Sequence, residues 1–333
     1  MLASEHMAKF LRSRATYSRF QWFFVDEAHL SHEESGEWLV AYASIRLMRQ
    51  RLPSKVVWGL FTGTATPTEA RAVAKSLGFK QGHFVNARYP CDRPHIKYIN
   101  RFMEHSYSGN TFFDLVFVLP PESQSPEDIS RTLIFCDTIE LGSPVITLLD
   151  TLFPPSFPHR SEVVMPYNSL MSKVYRALFV KDMIDGSRLR IVVCAETCAC
   201  GLGIPCIRRV IVFGLFPSLS AGKQRLFRGG RDGLLAEAYS FVPPWVRDVP
   251  SDQVQGQQAK DDSIRRAKLS PEVLQWHNPT VALCPRQVDQ RHNEEAENIP
   301  ITSCCSTHEP EPQASRDASI IRHHLAAYEK THG

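Results

Sequence analysis

Short runs of residues that are apolar at nearly every position constrain this chain most. Trp22-Phe-Phe-Val25, Val56-Val-Trp-Gly-Leu-Phe61, Leu133-Ile-Phe-Cys136, Arg190-Ile-Val-Val-Cys194 and Val210-Ile-Val-Phe213 show no alternation of apolar and polar letters. A strand of that kind has both faces covered, which is the condition of a parallel sheet flanked by helices. Helical patterns fall between the runs: Leu39 to Leu52 closed by Pro53, Pro67 to Leu77, Ile139 to Leu152 and Ser169 to Met183. Thr66 stands near the N-cap of the second of these, and Gly78 lies just past its end. Glu162 to Met165 adds a short strand. This rhythm predicts an α/β fold.

The chain has 333 residues, enough for two domains of about 100–200 residues each. With 43% hydrophobic and 22% charged residues it is not a disordered chain. No apolar run reaches the ~18–20 residues that cross a bilayer; the stretch from Ile191 to Gly214 is broken by Glu196, Arg208 and Arg209. The N-terminus lacks the apolar core of a secretory signal, so a soluble intracellular protein is expected. The net charge of +3 neither requires nor excludes a nucleic-acid partner. The nine cysteines have no disulfide framework spacing and are expected as reduced thiols. Asn86 to Ser130, with five prolines, reads as a connection, and the second α/β body ends near Pro243-Pro244.

Chemistry-bearing residues stand where strands end. Asp26-Glu27-Ala28-His29 follows the first run. An aspartate there suits Mg²⁺, a neighbouring glutamate can orient and deprotonate a water, and His29 can relay the state of the site to an adjacent element. Read alone, the tetrapeptide is equally well a helix start with favourable acids. Thr64-Ala-Thr66 ends the second strand run. Gln224-Arg225-Leu-Phe-Arg228-Gly-Gly-Arg231-Asp232 places guanidinium groups suited to neutralising phosphate charge, although a solvated basic turn has the same letters.

In this order the segments resemble superfamily 2 helicases, and within them the RecQ-like DNA helicases, over about Leu2 to Val242. Ser4-Glu5 resembles the end of a Ser-Pro-Glu element, Val25 to His29 motif II, Thr64 to Thr66 motif III, and Asp92-Arg93-Pro94 the junction between lobes. Leu133 to Cys136 resembles motif IV, Gly201 to Pro205 motif V, and Gln224 to Asp232 motif VI. The resemblance implies two RecA-like parallel-sheet lobes and a 3′-to-5′ unwinding motor using ATP with Mg²⁺ on single-stranded or forked DNA, in the nucleus, with no membrane. Asp26, Glu27, His29, Arg228 and Arg231 would be catalytic, Asp26 would hold Mg²⁺, and Gln224, Arg228 and Arg231 would meet the nucleotide, with Thr64 and Thr66 coupling. Asp26 and Arg231 are then expected to face each other over ATP. The implied domains are an incomplete first lobe over 1–88, a connection over 89–130, a second lobe over 131–245, and a small irregular tail over 246–333.

Four departures qualify the resemblance. No Gly-x-x-x-x-Gly-Lys-Ser/Thr loop occurs, the single Gly-Lys pair being Gly222-Lys223 followed by Gln224. Gly203 stands where motif V has an aspartate, Glu34 where a tryptophan is expected, and Phe227 where motif VI has a glycine, which predicts a misaimed Arg228. The chain alone is therefore expected to hydrolyse ATP no faster than a Glu27→Gln control. The alternative is a non-catalytic nucleic-acid-binding or regulatory remnant. In the tail, Cys284, Cys304, Cys305 and His308 have ligand chemistry for Zn²⁺, which the family's zinc module also suggests; the other reading is surface thiols.

Overall fold

A computed structural model describes residues 18–31, 37–105, 112–185, 188–195, 206–250, 256–296 and 304–309, with isolated residues outside these spans. The chain divides into one unit of Met1–Cys91 with Arg291–Ala296, and a second of Asp92–Gln290 with Glu297–Gly333.

In the first unit, β1 (Trp22–Val25) pairs in parallel with β2 (Val57–Leu60), in the register Trp22↔Val57 to Val25↔Leu60. Between them runs α1 (Glu37–Arg51), and α2 (Pro67–Ser76) follows β2. Thr66 caps α2 with a reciprocal box: its Oγ1 accepts from the Glu69 N–H at 3.2 Å, and Glu69 Oε2 accepts from the Thr66 N–H at 2.7 Å. Ile45 and Met48 of α1, with Leu52 just past its end, form one buried stripe, while Val73 of α2 and its C-cap Leu77 close over Val25 and Ala28. The strand period of two sends Phe23, Val25, Trp58 and Leu60 to this core and leaves Trp22, Phe24 and Val57 exposed.

The second unit is built on a six-stranded, wholly parallel sheet in the order β3-β8-β7-β4-β6-β5. In chain order it runs β3 (Ile96–Phe102), β4 (Thr132–Cys136), α3 (Ile139–Thr151), α4 (Arg160–Val163), β5 (Val164–Tyr167), α5 (Lys173–Ile184), β6 (Ile191–Cys194), β7 (Arg209–Phe213), α6 (Leu219–Leu226) and β8 (Ala236–Val242). Three helices follow: α7 (Gly256–Arg266), α8 (Pro271–His277) and α9 (Pro285–His292). Every residue of β4 and β6 is buried, as continuous apolar strands require. Leu133 and Phe135 face a layer that includes Phe179, Leu226, Trp276 and Val288. Ile134 and Cys136 face the opposite layer with Leu115, Val145 and Leu149. No helix among the described residues is long and apolar enough to cross a membrane.

Three segments differ from expectation. Ile96–Phe102, read as connection, is an edge strand whose polar letters find partners inside: Asn100 donates to the Trp276 carbonyl, and the Arg101 guanidinium lies 4.8 Å from the Phe117 ring centre. The strand expected at Glu162 to Met165 begins two residues later, after a helical turn, and α5 starts at Lys173 because Ser172 caps it. Residues 256–292, expected as irregular tail, form three helices that bring Val273, Trp276 and Val288 into the core.

His277, the last residue of α8, is fully buried against Phe216 at 4.7 Å, and neither ring nitrogen has a hydrogen-bond partner among the described residues. Burial pushes its pKa from 6.5 down to about 3. The unfolded chain therefore takes up the proton first, so the stability supplied by the neutral ring is complete above pH 6.5 and is lost as the pH falls toward 3. At pH 5 the loss amounts to about 2 kcal/mol. His277→Phe is expected to shrink the drop in melting temperature between pH 7 and pH 5; an equal drop in both proteins would contradict this.

Candidate functional site

At the carboxyl end of β1 the chain turns sharply. Glu27 has φ +49, a left-handed conformation unusual for this residue, and its N–H donates to Asp26 Oδ1 at 2.9 Å. The Ala28 N–H donates to the Phe61 carbonyl at 2.9 Å, which ties the turn to the end of β2. The result is an exposed Asp26, a half-exposed Glu27 and an inward His29. His29 Nδ1 lies 2.9 Å from Thr62 Oγ1 and 3.5 Å from Glu27 Oε2. The histidine thus stands between Glu27 and the segment that leads to Thr64 and Thr66. Both threonines are buried, and the Thr66 hydroxyl caps α2.

In the second unit the parallel strands bring Asp137 and Gly214 to their carboxyl edge, while the turn at 227–233 lies by the start of β7, its Gly230 N–H donating to the Ile207 carbonyl at 3.0 Å. Asp137 follows β4, and Gly214 follows β7 at φ +130. A side chain on Gly214 would collide with the Asp137 carboxyl group, so glycine is required there. Partial desolvation by its surroundings raises the Asp137 carboxyl above its ordinary range even though the side chain is 46% exposed, opposed by Arg225, whose Nη1 is 3.9 Å from Oδ1, and by the Leu215 N–H. Then α6, capped by Ser218, carries Gln224 and Arg225 into a turn at 227–233. Arg228 is buried, its Nε donating to the Gln224 carbonyl at 3.2 Å, whereas Arg231 is exposed. Asp232 takes a bidentate pair from Arg208 at 2.9 and 2.6 Å, which holds its carboxyl well below the usual carboxylate range.

Phe227 does not strain this turn. It ends α6 at φ −77, an ordinary right-handed value, and its buried ring lies 5.3 Å from the Arg93 guanidinium. The left-handed positions are Gly230 and Gly233, so the glycine expected at 227 is not needed.

A third constellation joins α9 to the C-terminal segment. Cys284 Sγ is 3.6 Å from Cys304 Sγ, Cys305 Sγ is 3.4 Å from His308 Nδ1, and the four ligand atoms lie within 4.8 Å of one another. Cys284 and Cys305 are buried, which corrects the reading as surface thiols. His308 Nε2 is 3.1 Å from the Val281 carbonyl, a contact that leaves Nδ1 aimed at the sulfurs.

The structure thus gathers Asp26, Glu27 and His29 in the first unit, and Gln224, Arg228 and Arg231 in the second. Ser4, Glu34, Gly201 and Pro205 lie outside the described residues. Sequence reasoning missed Asp137, which follows a fully buried strand directly and could have been found by its place there.

Residues 115–233 match the family described as helicase conserved C-terminal domain. An ATP-dependent RNA helicase, DBP10 of Yarrowia lipolytica, is 26% identical over 194 residues, 53% of this chain and 19% of that protein. Among solved structures, S. cerevisiae Dbp5 bound to RNA and ADP BeF3 superposes with a TM-score of 0.54 at 16% identity, over 91% of this chain and 63% of its own. The Mycobacterium smegmatis helicase Lhr bound to ssDNA and AMP-PNP gives 0.50 at 18% identity, over 69% and 29%. These structural likenesses show the fold, a RecA-like parallel α/β arrangement. The matched span is thus similar to a helicase C-terminal domain, and the RecQ-like DNA type is not supported, since the curated relative is named as an RNA helicase.

Inside the matched span, Gly214→Ala is expected to destabilise the chain by about 2 kcal/mol or more, since it adds left-handed strain and a clash with Asp137. Denaturant unfolding checks this, and a loss below about 0.5 kcal/mol would contradict it.

Proposed function

We propose that this chain is part of an ATP-dependent nucleic-acid helicase. In that role Asp26 would hold Mg²⁺, which neutralises phosphate charge, and Glu27 would orient the attacking water. His29 would pass the state of that pair to Thr62 and the segment bearing Thr64 and Thr66. Arg231, with Gln224 and Arg228 behind it, would meet phosphate charge, and the strand backbone would be held through sequence-independent phosphate contacts. The observation that carries this reading is positional. Asp26 and Glu27 follow β1, Thr64 and Thr66 follow β2, and Asp137 follows β4, all at the carboxyl ends of parallel strands, where open α/β sheets collect ligands, whereas Arg228 and Arg231 stand on the turn that leads into β8.

The RecQ-like resemblance of the motifs implies DNA as the strand, single-stranded or forked, and with it a nuclear location and repair or recombination work. RNA is the second reading, favoured by the named relative. Equal-length single-stranded DNA and RNA oligonucleotides compete for the protein in a direct test. A DNA preference of tenfold or more supports the first reading, and the reverse ratio the second. The sequence holds no Gly-x-x-x-x-Gly-Lys-Ser/Thr loop, so ATP turnover by this chain alone is expected to equal that of Glu27→Gln. A strand-stimulated rate tenfold above that control would overturn the expectation. Strand affinity that changes with Mg·ATP supports a motor part, whereas nucleotide-independent binding supports a non-catalytic binding remnant.

The reading extends to Zn²⁺ held by Cys284, Cys304, Cys305 and His308, where it would staple the C-terminal segment to α9. The sulfur-sulfur approach and the His308 contact to the Val281 carbonyl suit a closed structural site. Dialysed protein should retain one equivalent of zinc, lost in Cys305→Ser. Less than half an equivalent would retire the site.

A further inference from the structure

Between α6 and α9 lie four charged side chains with almost no exposure: Lys223, Asp289, Arg286 and Asp92. Lys223 Nζ is 2.8 Å from Asp289 Oδ1. Arg286 contacts the Asp92 carboxylate and donates to the carbonyls of Arg93 at 3.2 Å and Ile96 at 2.6 Å. The formal charges cancel, and the two cations and two anions tie three segments together: α6, α9 and the stretch leading into β3. Burying such pairs is a poor route to stability, because apolar residues of similar volume often serve as well or better. What a buried pair does supply is a fixed register, since an enclosed ammonium is satisfied only where its carboxylate stands.

We propose that α9, through Asp289 and Arg286, is the positioning element of the arginine turn. Lys223 sits one residue before Gln224 on α6, and the helix runs directly into residues 227–233. Beyond Arg231 the turn is anchored again by Asp232 on Arg208. Arg231, exposed and with its Nε donating to the Phe227 carbonyl at 3.5 Å, therefore stands on a turn fixed at both ends, and the buried pair sets the end nearer α6. Lys223 and Asp289 are positioning residues: neither touches solvent, and α9 lies outside the 115–233 match. The inference rests on reading Arg231 as the phosphate-facing group, but its structural half stands independently.

Hydrogen exchange on the full chain, read by mass spectrometry, tests it. Asp289→Asn keeps the shape and removes the countercharge; Lys223→Met/Asp289→Val removes both charges. In each, peptides covering 227–233 should exchange about tenfold faster while β4 and β7 keep their protection. Turn protection equal to that of the native chain in a folded variant overturns the proposal. So does a uniform rise across all strands, or a failure of both variants to fold, because the pair would then be a general stabiliser. The reading of Arg231 is checked separately, by whether Arg231→Ala abolishes a preference for Mg·ATP over Mg·ADP in the otherwise native chain. If exchange localises to the turn but Arg231→Ala changes nothing, the positioning stands and the phosphate role falls.

Discussion

The parallel pairing of β4 with β6 on one side and β7 on the other is the constraint on which the second unit depends. Parallel strands must be joined by crossovers, so helices cover both faces, and every strand ends at the same edge of the sheet. Asp137 after β4 and Gly214 after β7 become neighbours for that reason alone. The missing Cβ at 214 lets the carboxylate settle against the backbone, and α6 starts from the same edge. One topological fact thus delivers an acid, a backbone opening and the start of a helix whose Arg225 reaches that acid to one place.

Charge is handled in two ways around this sheet. Arg208 and Asp232 pair near the surface, where a bidentate fork brings directional hydrogen bonds at little desolvation cost. Lys223 and Asp289 pair with no solvent at all, where loss of either partner would strand a buried charge. The C-terminal segment adds a different device. The Tyr98 N–H donates to the Cys304 carbonyl at 3.3 Å, and the Ser306 N–H donates to the Tyr98 carbonyl at 2.9 Å. Residues 304–306 thereby cover part of the open edge of β3, an edge that would otherwise offer unpaired backbone groups to another chain.

Legibility in the sequence followed locality. β4, β6 and β7 could be read because burial on both faces writes an unbroken apolar run. The start of α2 could be read because Thr66, Pro67 and Glu69 form a cap within one turn. β3 and β8 were not legible. Lys97, Asn100 and Arg101 interrupt the first, and Ala236, Glu237 and Ser240 dilute the second, although both strands are satisfied by distant partners. The same blindness hid the buried charges: nothing near Lys223 in sequence announces Asp289. Phe227 shows the converse error, in which a family pattern implied a glycine that this backbone, turning at Gly230 and Gly233, does not need.

The central claim is that the carboxyl edge of the six-stranded sheet is the working edge. Photo-crosslinking of a single-stranded oligonucleotide carrying a thiolated pyrimidine to the full chain, with adducts mapped by mass spectrometry, tests it most directly. The account predicts adducts at residues that follow β4 and β7, in the segments 137–139 and 214–218. Adducts confined to the exposed faces of α3 and α5, with none at that edge, would contradict it.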